Sequence, residues 1–316
     1  MNKKVVVLGG GKGISYLLAG LKDFPLDITA VISVADNGKS TGKLREEFHI
    51  PAVGDIRKVI TSMSGTDKNI KKMLEYRFHT TSDLDGHALG NLILTSLLDI
   101  TGSLKSSIEE LSILLDVKSK ILPLTEDENV TLMGETIDGD IIEGEEMITK
   151  TPKKIKKLFY KDEPHVLNEV IEAINEADLI LLSMGSLYTS LFPNLLAKKV
   201  IKALDKTKAP IMYVCNIVTQ PGETDNFTVS DHVKLINQYL GIHKLDVVIA
   251  SNSPISKEMA EKYANEERKD PVKIDYAVLK SLDVEFIEAD LLTIADNTLK
   301  HHSQKLSSLI FSYLMR

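Results

Sequence analysis

The chain has 316 residues, of which 43% are hydrophobic and 26% charged, and its formal net charge is −7. That length supports a sizeable buried core, and the acidic balance disfavours a dedicated nucleic-acid binder, which would neutralise phosphates with lysine and arginine. The single cysteine excludes an intrachain disulfide, and no apolar run approaches the roughly 20 residues of a membrane span, so we expect a cytoplasmic protein.

The first elements alternate between strand and helix. Val5–Leu8 is a short apolar run that ends in glycines, which is typical of a strand buried on both faces. Residues 14–24 have helical spacing, and residues 27–36 form a second apolar run. This alternation predicts right-handed βαβ units and a mainly parallel sheet.

The middle of the chain has a different pattern. Residues 55–120 are largely helical in spacing and predict a helical insertion packed on the sheet. Residues 121–148 contain short β-type runs separated by Asp-Gly and Glu-Gly turns, which predict a small antiparallel excursion. The basic run at 153–163 is interpreted as a solvated face.

The α/β pattern then returns. Apolar runs at 177–184, 209–216, 245–252 and 284–292 each predict a strand. The fold class predicted is therefore α/β and Rossmann-like, with a mainly parallel sheet and helices on both faces. We expect one domain over residues 1–316.

The sequence Gly-Lys-Ser-Thr at Gly38–Thr41 resembles the end of a P-loop. A Walker loop would need glycine five residues before Gly38, where the chain has Ser33 inside an apolar strand. The segment between strand and lysine is too short to wrap phosphates. A Walker triphosphatase is excluded on this spacing.

The first glycine loop also misses a standard pattern. A dinucleotide fingerprint would need glycine where Ile14 stands. Glycines between a strand and a helix nevertheless let the backbone approach a phosphate at the helix N-terminus, although a tight turn without a ligand is the alternative. The predicted binding residues here are Gly9, Gly10, Gly11, Lys12 and Gly13.

A second polar loop follows the second strand. Asp36 closes that strand, where an acid often accepts hydrogen bonds from a ribose. Lys39, Lys43 and Arg45 could complement phosphate charge, while an ordinary capped turn is the alternative. The predicted binding residues are Asp36, Asn37, Gly38, Ser40 and Thr41.

Several long motifs now resemble one known family. "VVVLGGGKGISYLLAGLK", "ITAVISVADNGKSTGKLREE", "GHALGNLIL" and "VCNIVTQPGETDNFTVSDHV" are similar to the YvcK/CofD-like family, and the resemblance runs in order through nearly the whole chain. It is greater to the bacterial YvcK-type branch, whose members are called gluconeogenesis factors. The resemblance implies a Rossmann-like core.

The resemblance also implies two functions. Archaeal CofD-type members transfer a phospholactyl group to a deazaflavin. The YvcK-type branch binds UDP-sugars and is implicated in growth on gluconeogenic carbon sources, cell shape and envelope synthesis.

This chain departs from the family's usual second loop, Asp-Asp-Gly-Gly-Ser-Ser. Asn37 replaces a carboxylate and Lys39 replaces a glycine, while Lys12 stands where the family usually has threonine. Divalent metals favour clustered carboxylate oxygens, so a metal-assisted transfer is disfavoured and direct charge contact with phosphate is favoured.

Two further motifs offer side chains. Arg57 could grip a phosphate with two parallel N–H bonds, and Asp55 could hold a metal, orient Arg57 or cap a helix. His87 and Asn91, four residues apart, share a helix face and could contact a ligand or be structural. No zinc site is predicted, because no partner lies at metal-ligand spacing.

The last two strand-to-loop segments add neutral polar groups. Tyr188 could stack on a base or belong to the core, and Tyr263 and Lys300 could reach a nucleotide from the C-terminal region. Cys215 is expected to be a buried apolar residue and not a nucleophile. The predicted binding residues of these loops are Gly185, Ser186, Tyr188, Asn216, Thr219, Gln220 and Thr224.

Together these features predict a UDP-sugar-binding regulator that requires no cofactor, with an NAD-like nucleotide as an alternative ligand. The alternative function is a magnesium-dependent CofD-type phosphotransferase, which would use Asp36, Asp55 and Arg57. We expect regulatory protein partners and a homodimer formed through residues 55–115.

Overall fold

The computed structural model describes residues 2–295 and 297–316, and at position 39 it describes the backbone but not the side chain. The strands in this part of the chain are β1 (Lys3–Gly9), β2 (Leu26–Ile32), β3 (Lys120–Pro123), β4 (Leu132–Thr136), β5 (Ile141–Glu143), β6 (Ile155–Tyr160), β7 (Leu179–Leu182), β8 (Ile211–Val214), β9 (Val247–Ser251), β10 (Glu285–Ala289), β11 (Leu292–Ala295) and β12 (Thr298–His301).

The helices between these strands account for most of the remaining chain. They are α1 (Gly11–Leu21), α2 (Lys39–Phe48), α3 (Gly54–Met63), α4 (Lys68–Glu75), α5 (Leu89–Thr101), α6 (Leu104–Leu114), α7 (Glu145–Lys150), α8 (Asn168–Glu176), α9 (Phe192–Leu196), α10 (Lys198–Leu204), α11 (Val229–Tyr239), α12 (Lys257–Glu267), α13 (Tyr276–Leu279) and α14 (Ser303–Leu314). A π-helical turn, Leu187–Leu191, precedes α9.

The main sheet has seven parallel strands in the order β10-β9-β8-β7-β1-β2-β3. Its central strands are buried on both faces, as the continuous apolar runs predicted. The chain adds β2 and β3 on one side of β1 and β7 to β10 on the other. Right-handed crossovers in these two directions place helices on opposite faces, which confirms the Rossmann-like α/β prediction.

The direction of sheet construction reverses between β1 and β7. At such a switch point, the loops that leave two neighbouring strands diverge to opposite faces and open a crevice beyond the carboxyl ends. Ligands of open α/β sheets bind in this crevice. The fold therefore directs attention to the loops after β1, β2 and β7.

The helical insertion is confirmed, because α3 to α6 occupy this region. The antiparallel excursion is only partly as predicted. β3, placed within it from sequence, pairs parallel with β2 in the main sheet. A four-residue apolar run carries no periodicity that separates the two kinds of sheet.

The small antiparallel sheet has the order β5-β4-β6 and extends further along the chain than predicted. Its third strand, β6, is the basic run that was interpreted as a solvated face. Ile155 and Leu158 are buried there, while Lys156 and Lys157 face outward. The run is thus a half-buried strand with one solvated face.

The C-terminal part of the chain closes the fold. β10 is the predicted last strand of the main sheet, and an antiparallel pair, β11 and β12, follows it. α14 then packs against α1. Across the described residues, every helix is too short or too polar to cross a lipid bilayer.

Candidate functional site

A small cavity of about 160 Å³ lies at the carboxyl edge of the main sheet, at the reversal between β1 and β7. We call it the switch-point cavity. It collects residues from the loops after β1, β2 and β7, together with the first turns of α3 and α7. Its lining residues are Gly11, Ser33, Asp36, Asp55, Lys58, Glu145, Thr189 and Ser190.

Asp55 ties the cavity together. Its Oδ2 accepts a hydrogen bond from the Gly11 backbone N–H at 2.6 Å, and its Oδ1 accepts one from Lys58 Nζ at 2.7 Å. The carboxylate therefore holds the start of α1 against α3. One role predicted for Asp55 was to orient Arg57. The hydrogen bonds described for Asp55 go to Gly11 and Lys58, so they give that role no support.

Three carboxyl groups share this small volume. Burial raises the pKa of Asp36, and the neighbouring charge of Asp55 raises it further, while the Gly38 N–H donates to Asp36 Oδ1 at 2.9 Å and opposes the rise. Burial also raises the pKa of Glu145 to about 7, with Asp36 as the next cause. Of the lining side chains that the structure describes, only Lys58 is positively charged.

Glu145 reaches the cavity from the small antiparallel sheet. It is the first residue of α7, which follows Gly144 at a φ of 93°. Asn37 Oδ1 accepts a hydrogen bond from the Glu146 backbone N–H at 2.9 Å and so fixes α7 against the loop after β2. Asn37 was predicted to bind ligand. In this structure it fixes α7, the helix that places Glu145 in the cavity.

The first glycine loop is closely packed against the loop after β7. A Cβ at Gly9 would lie 2.0 Å from Ser183 Oγ, and one at Gly13 would lie 1.8 Å from the Met184 carbonyl oxygen. Close backbone approach therefore requires these glycines, as in the tight-turn alternative. Lys12 is exposed at the start of α1, next to Gly11 in the cavity lining.

In the second loop, only part of the predicted set reaches the cavity. Ser40 is buried, and its Oγ lies 3.0 Å from His87 Nδ1 and accepts a hydrogen bond from Asn91 Nδ2 at 3.3 Å. These three side chains form an internal cluster between α2 and α5, outside the lining. Their predicted contact with ligand gains no support from this placement.

The remaining residues of the second loop have mainly local contacts. Thr41 is buried and a hydrogen bond from it lowers the pKa of Asp36. Arg45 donates to the carbonyl oxygens of Asp36 and Val130 at 3.0 and 2.9 Å, so it joins two loops and is not free for phosphate. The side chain of Lys39 lies outside the described part of the chain.

The prediction that Arg57 grips a phosphate gains no support from its placement. Its side chain is 5% exposed, and Nη1 donates to the Leu74 carbonyl oxygen at 3.5 Å. Gly90 allows this path, because a Cβ there would lie 2.7 Å from Arg57 Cδ. The guanidinium therefore packs inside the helical layer, away from the cavity lining.

The backbone of the loop after β7 is hydrogen-bonded to an asparagine side chain of the loop after β8. The Gly185 N–H donates to Asn216 Oδ1 at 2.8 Å, and Asn216 Nδ2 donates to the Gly185 carbonyl oxygen at 2.8 Å. Tyr188 is buried and packs against Phe192 with ring centroids 5.7 Å apart, so it belongs to the core and does not offer a face to a base.

A buried carboxyl that the sequence did not reveal lies behind this loop. Ser186 Oγ donates to both Glu223 oxygens at 2.7 and 2.8 Å, and the Tyr188 N–H adds a longer bond at 3.3 Å. Burial raises the pKa of Glu223 to about 7. Ser186 thus has a structural partner where contact with a diphosphate was predicted.

The loop after β8 uses most of its predicted residues internally. Thr224 Oγ1 accepts from the Gln220 N–H at 2.8 Å, and Thr219 Oγ1 accepts from the Asp270 N–H at 2.9 Å. Thr219 and Thr224 are buried, and their predicted contact with a ligand gains no support from these internal bonds.

Neither C-terminal candidate belongs to the described lining of the switch-point cavity. The buried Tyr263 hydroxyl accepts from the Leu299 N–H at 2.8 Å, which makes it a core residue, and Lys300 lies in β12. Cys215 is buried as predicted, and burial raises the pKa of its thiol.

The lining residues that the sequence analysis missed are Ser33, Lys58, Glu145, Thr189 and Ser190. Lys58 could have been predicted from the sequence, since it lies one helical turn after Asp55. Glu145 stood in a turn-rich segment with no periodic signal. Among the residues that the structure describes, no group of three or more His, Cys, Asp or Glu side chains is arranged to hold a metal ion.

Comparison with known proteins is consistent across the chain. The family described as 2-phospho-L-lactate transferase CofD matches residues 5–292. The chain is 40% identical over 312 residues to the gluconeogenesis factor of Bacillus subtilis, covering 98% of each sequence. It is 41% identical over 309 residues to the gluconeogenesis factor of Halalkalibacterium halodurans, covering 98% of this chain and 95% of that one.

The fold agrees with a solved structure. A crystal structure of a UPF0052 family member from Bacillus halodurans superposes with a TM-score of 0.94 at 41% identity. The match covers 98% of this chain and 99% of that one.

Proposed function

The chain belongs to the CofD family, and we propose that it is a UDP-sugar-binding regulatory protein of gluconeogenic carbon metabolism, with effects on cell shape and envelope synthesis. The curated relatives from Bacillus subtilis and Halalkalibacterium halodurans are named gluconeogenesis factors, which supports the metabolic part of the proposal. UDP-N-acetylglucosamine is the ligand to test first.

The observation that carries the proposal is the charge of the switch-point cavity. Asp36, Asp55 and Glu145 line it, and among the described side chains of the lining only Lys58, already paired with Asp55, offsets them. Carboxylate oxygens accept hydrogen bonds from sugar hydroxyls but repel phosphate oxygens. The cavity is therefore suited to the sugar of a nucleotide sugar and unsuited to its diphosphate.

The start of α1 is suited to the diphosphate. Gly10 precedes this helix without a side-chain cap, and the Gly11 N–H is already bound by Asp55. The amides of Lys12 and Gly13 lie in the first turn, where a helix offers no acceptor of its own. These amides, the helix dipole and the exposed Lys12 together favour an anion beside the sugar subsite.

The lining favours binding over catalysis. Its hydroxyls belong to Ser33, Thr189 and Ser190, and no histidine or cysteine belongs to the lining. His87, predicted to reach the site, lies instead against Ser40. A protein that binds a nucleotide sugar more tightly in one conformation than in another needs no reaction to act as a regulator.

A second candidate is a CofD-type phosphotransferase. The observation that favours it is the raised pKa of Asp36 and Glu145, because a bound cation would neutralise the charges that cause part of the rise. Two placements weigh against it: Arg57 lies inside the helical layer, and Asn37 holds α7.

Calorimetric titration with UDP-N-acetylglucosamine, with and without magnesium, tests the proposal. We expect micromolar binding at one site per chain without magnesium, and recovery of the intact ligand by mass spectrometry. Failure to bind, or consumption of the ligand only when magnesium is present, would reject the regulator and favour the transferase.

A pair of variants locates the sugar. Glu145→Gln weakens an acceptor for sugar hydroxyls, and we expect about tenfold lower affinity for the UDP-sugar, or about 1.4 kcal/mol, with UDP affinity unchanged. Glu146→Gln is the matched control, since Glu146 is the next residue of α7 and pairs with Lys150 at 2.6 Å. Equal losses in both variants would place the sugar elsewhere.

A further inference from the structure

A second cavity lies at the same edge of the main sheet, beyond the carboxyl ends of β8 and β9. Its volume is about 180 Å³, and we call it the neutral cavity because its lining, within the described part of the chain, contains no charged side chain. Six of its nine described lining residues are apolar, among them Ile217, Val229, Ile255 and Val272.

The polar groups of the neutral cavity are few and uncharged. Asn216 lies on one side, and Ser251 and Ser253 lie on another. The two serines are hydrogen-bonded to each other at 3.0 Å. Apolar walls with a small number of fixed polar groups are typical of a site that takes a flat heterocycle and reads its edge.

The Gly185–Asn216 bridge connects this cavity to the switch-point cavity. Asn216 lines the neutral cavity and exchanges two hydrogen bonds with Gly185. A Cβ at Gly185 would lie 4.0 Å from Ser190 Cβ, which belongs to a lining residue of the switch-point cavity, and 3.9 Å from Gly13 Cα. The start of α1 therefore lies between the two cavities.

The spacing of the sheet sets the distance between the cavities. One opens at the boundary of β1 and β7, and the other at the boundary of β8 and β9, two strands further along. Two strand spacings amount to about 10 Å. A ribose and a diphosphate separate the sugar and the base of a nucleotide sugar by a similar length.

We propose that the neutral cavity binds the nucleobase of the ligand, with the ribose and diphosphate crossing the Gly185–Asn216 bridge and the start of α1. This inference rests on the proposed function, because it assigns the base of the same nucleotide sugar. An uncharged base matches the uncharged lining of the neutral cavity. The sugar hydroxyls match the carboxyl groups of the switch-point cavity.

Methyl NMR of the wild-type protein tests the assignment without a mutation. UDP and N-acetylglucosamine 1-phosphate are the probes, since the second has sugar and phosphate but no base. We expect the δ1 methyl signals of Ile217 and Ile255 to shift with UDP and to stay in place with the sugar phosphate. UDP binding that leaves both signals unchanged would overturn the base subsite alone.

A matched pair of variants gives an independent measurement. Val272 and Ile274 are both half-buried in the same extended segment, but only Val272 lines the neutral cavity. Val272→Trp should fill the cavity and weaken UDP and UDP-N-acetylglucosamine at least tenfold, whereas Ile274→Trp should not. Thermal unfolding verifies that both variants are folded.

The outcomes separate this inference from the proposed function. If the wild-type protein binds neither UDP nor a UDP-sugar, both proposals fail together. If it binds them and a folded Val272→Trp variant retains full affinity, the base lies elsewhere and the proposed function stands.

Discussion

The switch-point cavity and the neutral cavity open on one edge of one sheet but differ completely in charge. The first is lined by Asp36, Asp55, Glu145 and the lysine that pairs with Asp55. The second has no charged side chain among its described lining residues. Because the strands below them are alike in burial, the difference comes from the segments that follow or cover the strand ends.

That difference has an identifiable origin. The neutral cavity is built largely from residues near the ends of β8 and β9, such as Asn216 and Ser251. The switch-point cavity also includes residues of α3 and α7, which contribute Asp55 and Glu145. A parallel sheet thus provides the location, and inserted elements determine the chemistry.

The largest effect is expected at the junction between the cavities. Gly13→Ala would place a Cβ 1.8 Å from the Met184 carbonyl oxygen, and neither backbone can yield easily. We expect the free energy of unfolding to fall by about 3 kcal/mol or more, measured by chemical denaturation.

Gly38→Ala is the control for this substitution. Its Cβ would meet Asp36 Oδ1 at 3.4 Å, and Gly38 has a φ of −84°, which alanine adopts freely. We expect a loss below about 1 kcal/mol, as for other changes at helix N-caps. Equal losses in the two variants would show that the first loop does not depend on close packing against the loop after β7.

The second-largest effect is a pH dependence of the free energy of unfolding, which distinguishes a buried carboxyl group from one at the surface. Glu223 has a pKa of about 7 in the folded protein, above its ordinary 4.5, because it is buried. The protonated form therefore stabilises the fold fully below about pH 4.5, and this stabilisation is lost as the pH rises through 7. Between pH 5 and 8 we expect a fall in the free energy of unfolding on the order of 2–3 kcal/mol from this group.

Glu223→Gln should reduce this slope, because the amide cannot ionise and its oxygen can still accept from Ser186. Glu145 titrates in the same range, so part of the slope should remain. Glu135→Gln is the control, since Glu135 is paired with Lys156 at the surface. A wild-type free energy that is constant from pH 5 to 8 would contradict the raised pKa values.

Much of the fold follows from the sequence. Alternating apolar runs and helical segments predicted the parallel sheet, because strands buried on both faces leave a continuous apolar signal. β3 was assigned to the wrong sheet, since four residues contain no periodicity. β6 was read as a solvated face, because its outward lysines concealed the inward Ile155 and Leu158.

Three of the predicted residues line the cavity. Gly11 and Asp36 follow within four residues of the ends of β1 and β2, and Asp55 lies in the first turn of α3. Glu145 lies in α7, which follows the small antiparallel sheet, and it reaches the cavity only because that sheet packs against the loop after β2. No local sequence pattern predicts this packing. Arg57 and His87 gain no support as ligand contacts, because a motif shows that a residue is near the site but not which way its side chain packs.

The smallest effect concerns the surface between the cavities. Lys12 is exposed at the start of α1, so its attraction to a diphosphate acts largely through water and is screened by salt. We expect Lys12→Gln to weaken UDP affinity about threefold at low salt and hardly at all in 1 M salt, measured by calorimetry. Lys43→Gln, an equally charged change on the exposed side of α2, should have no effect at either salt concentration. A loss that persists unchanged in 1 M salt would mean that Lys12 makes a desolvated contact with the ligand, and the diphosphate would then lie deeper than the open start of α1.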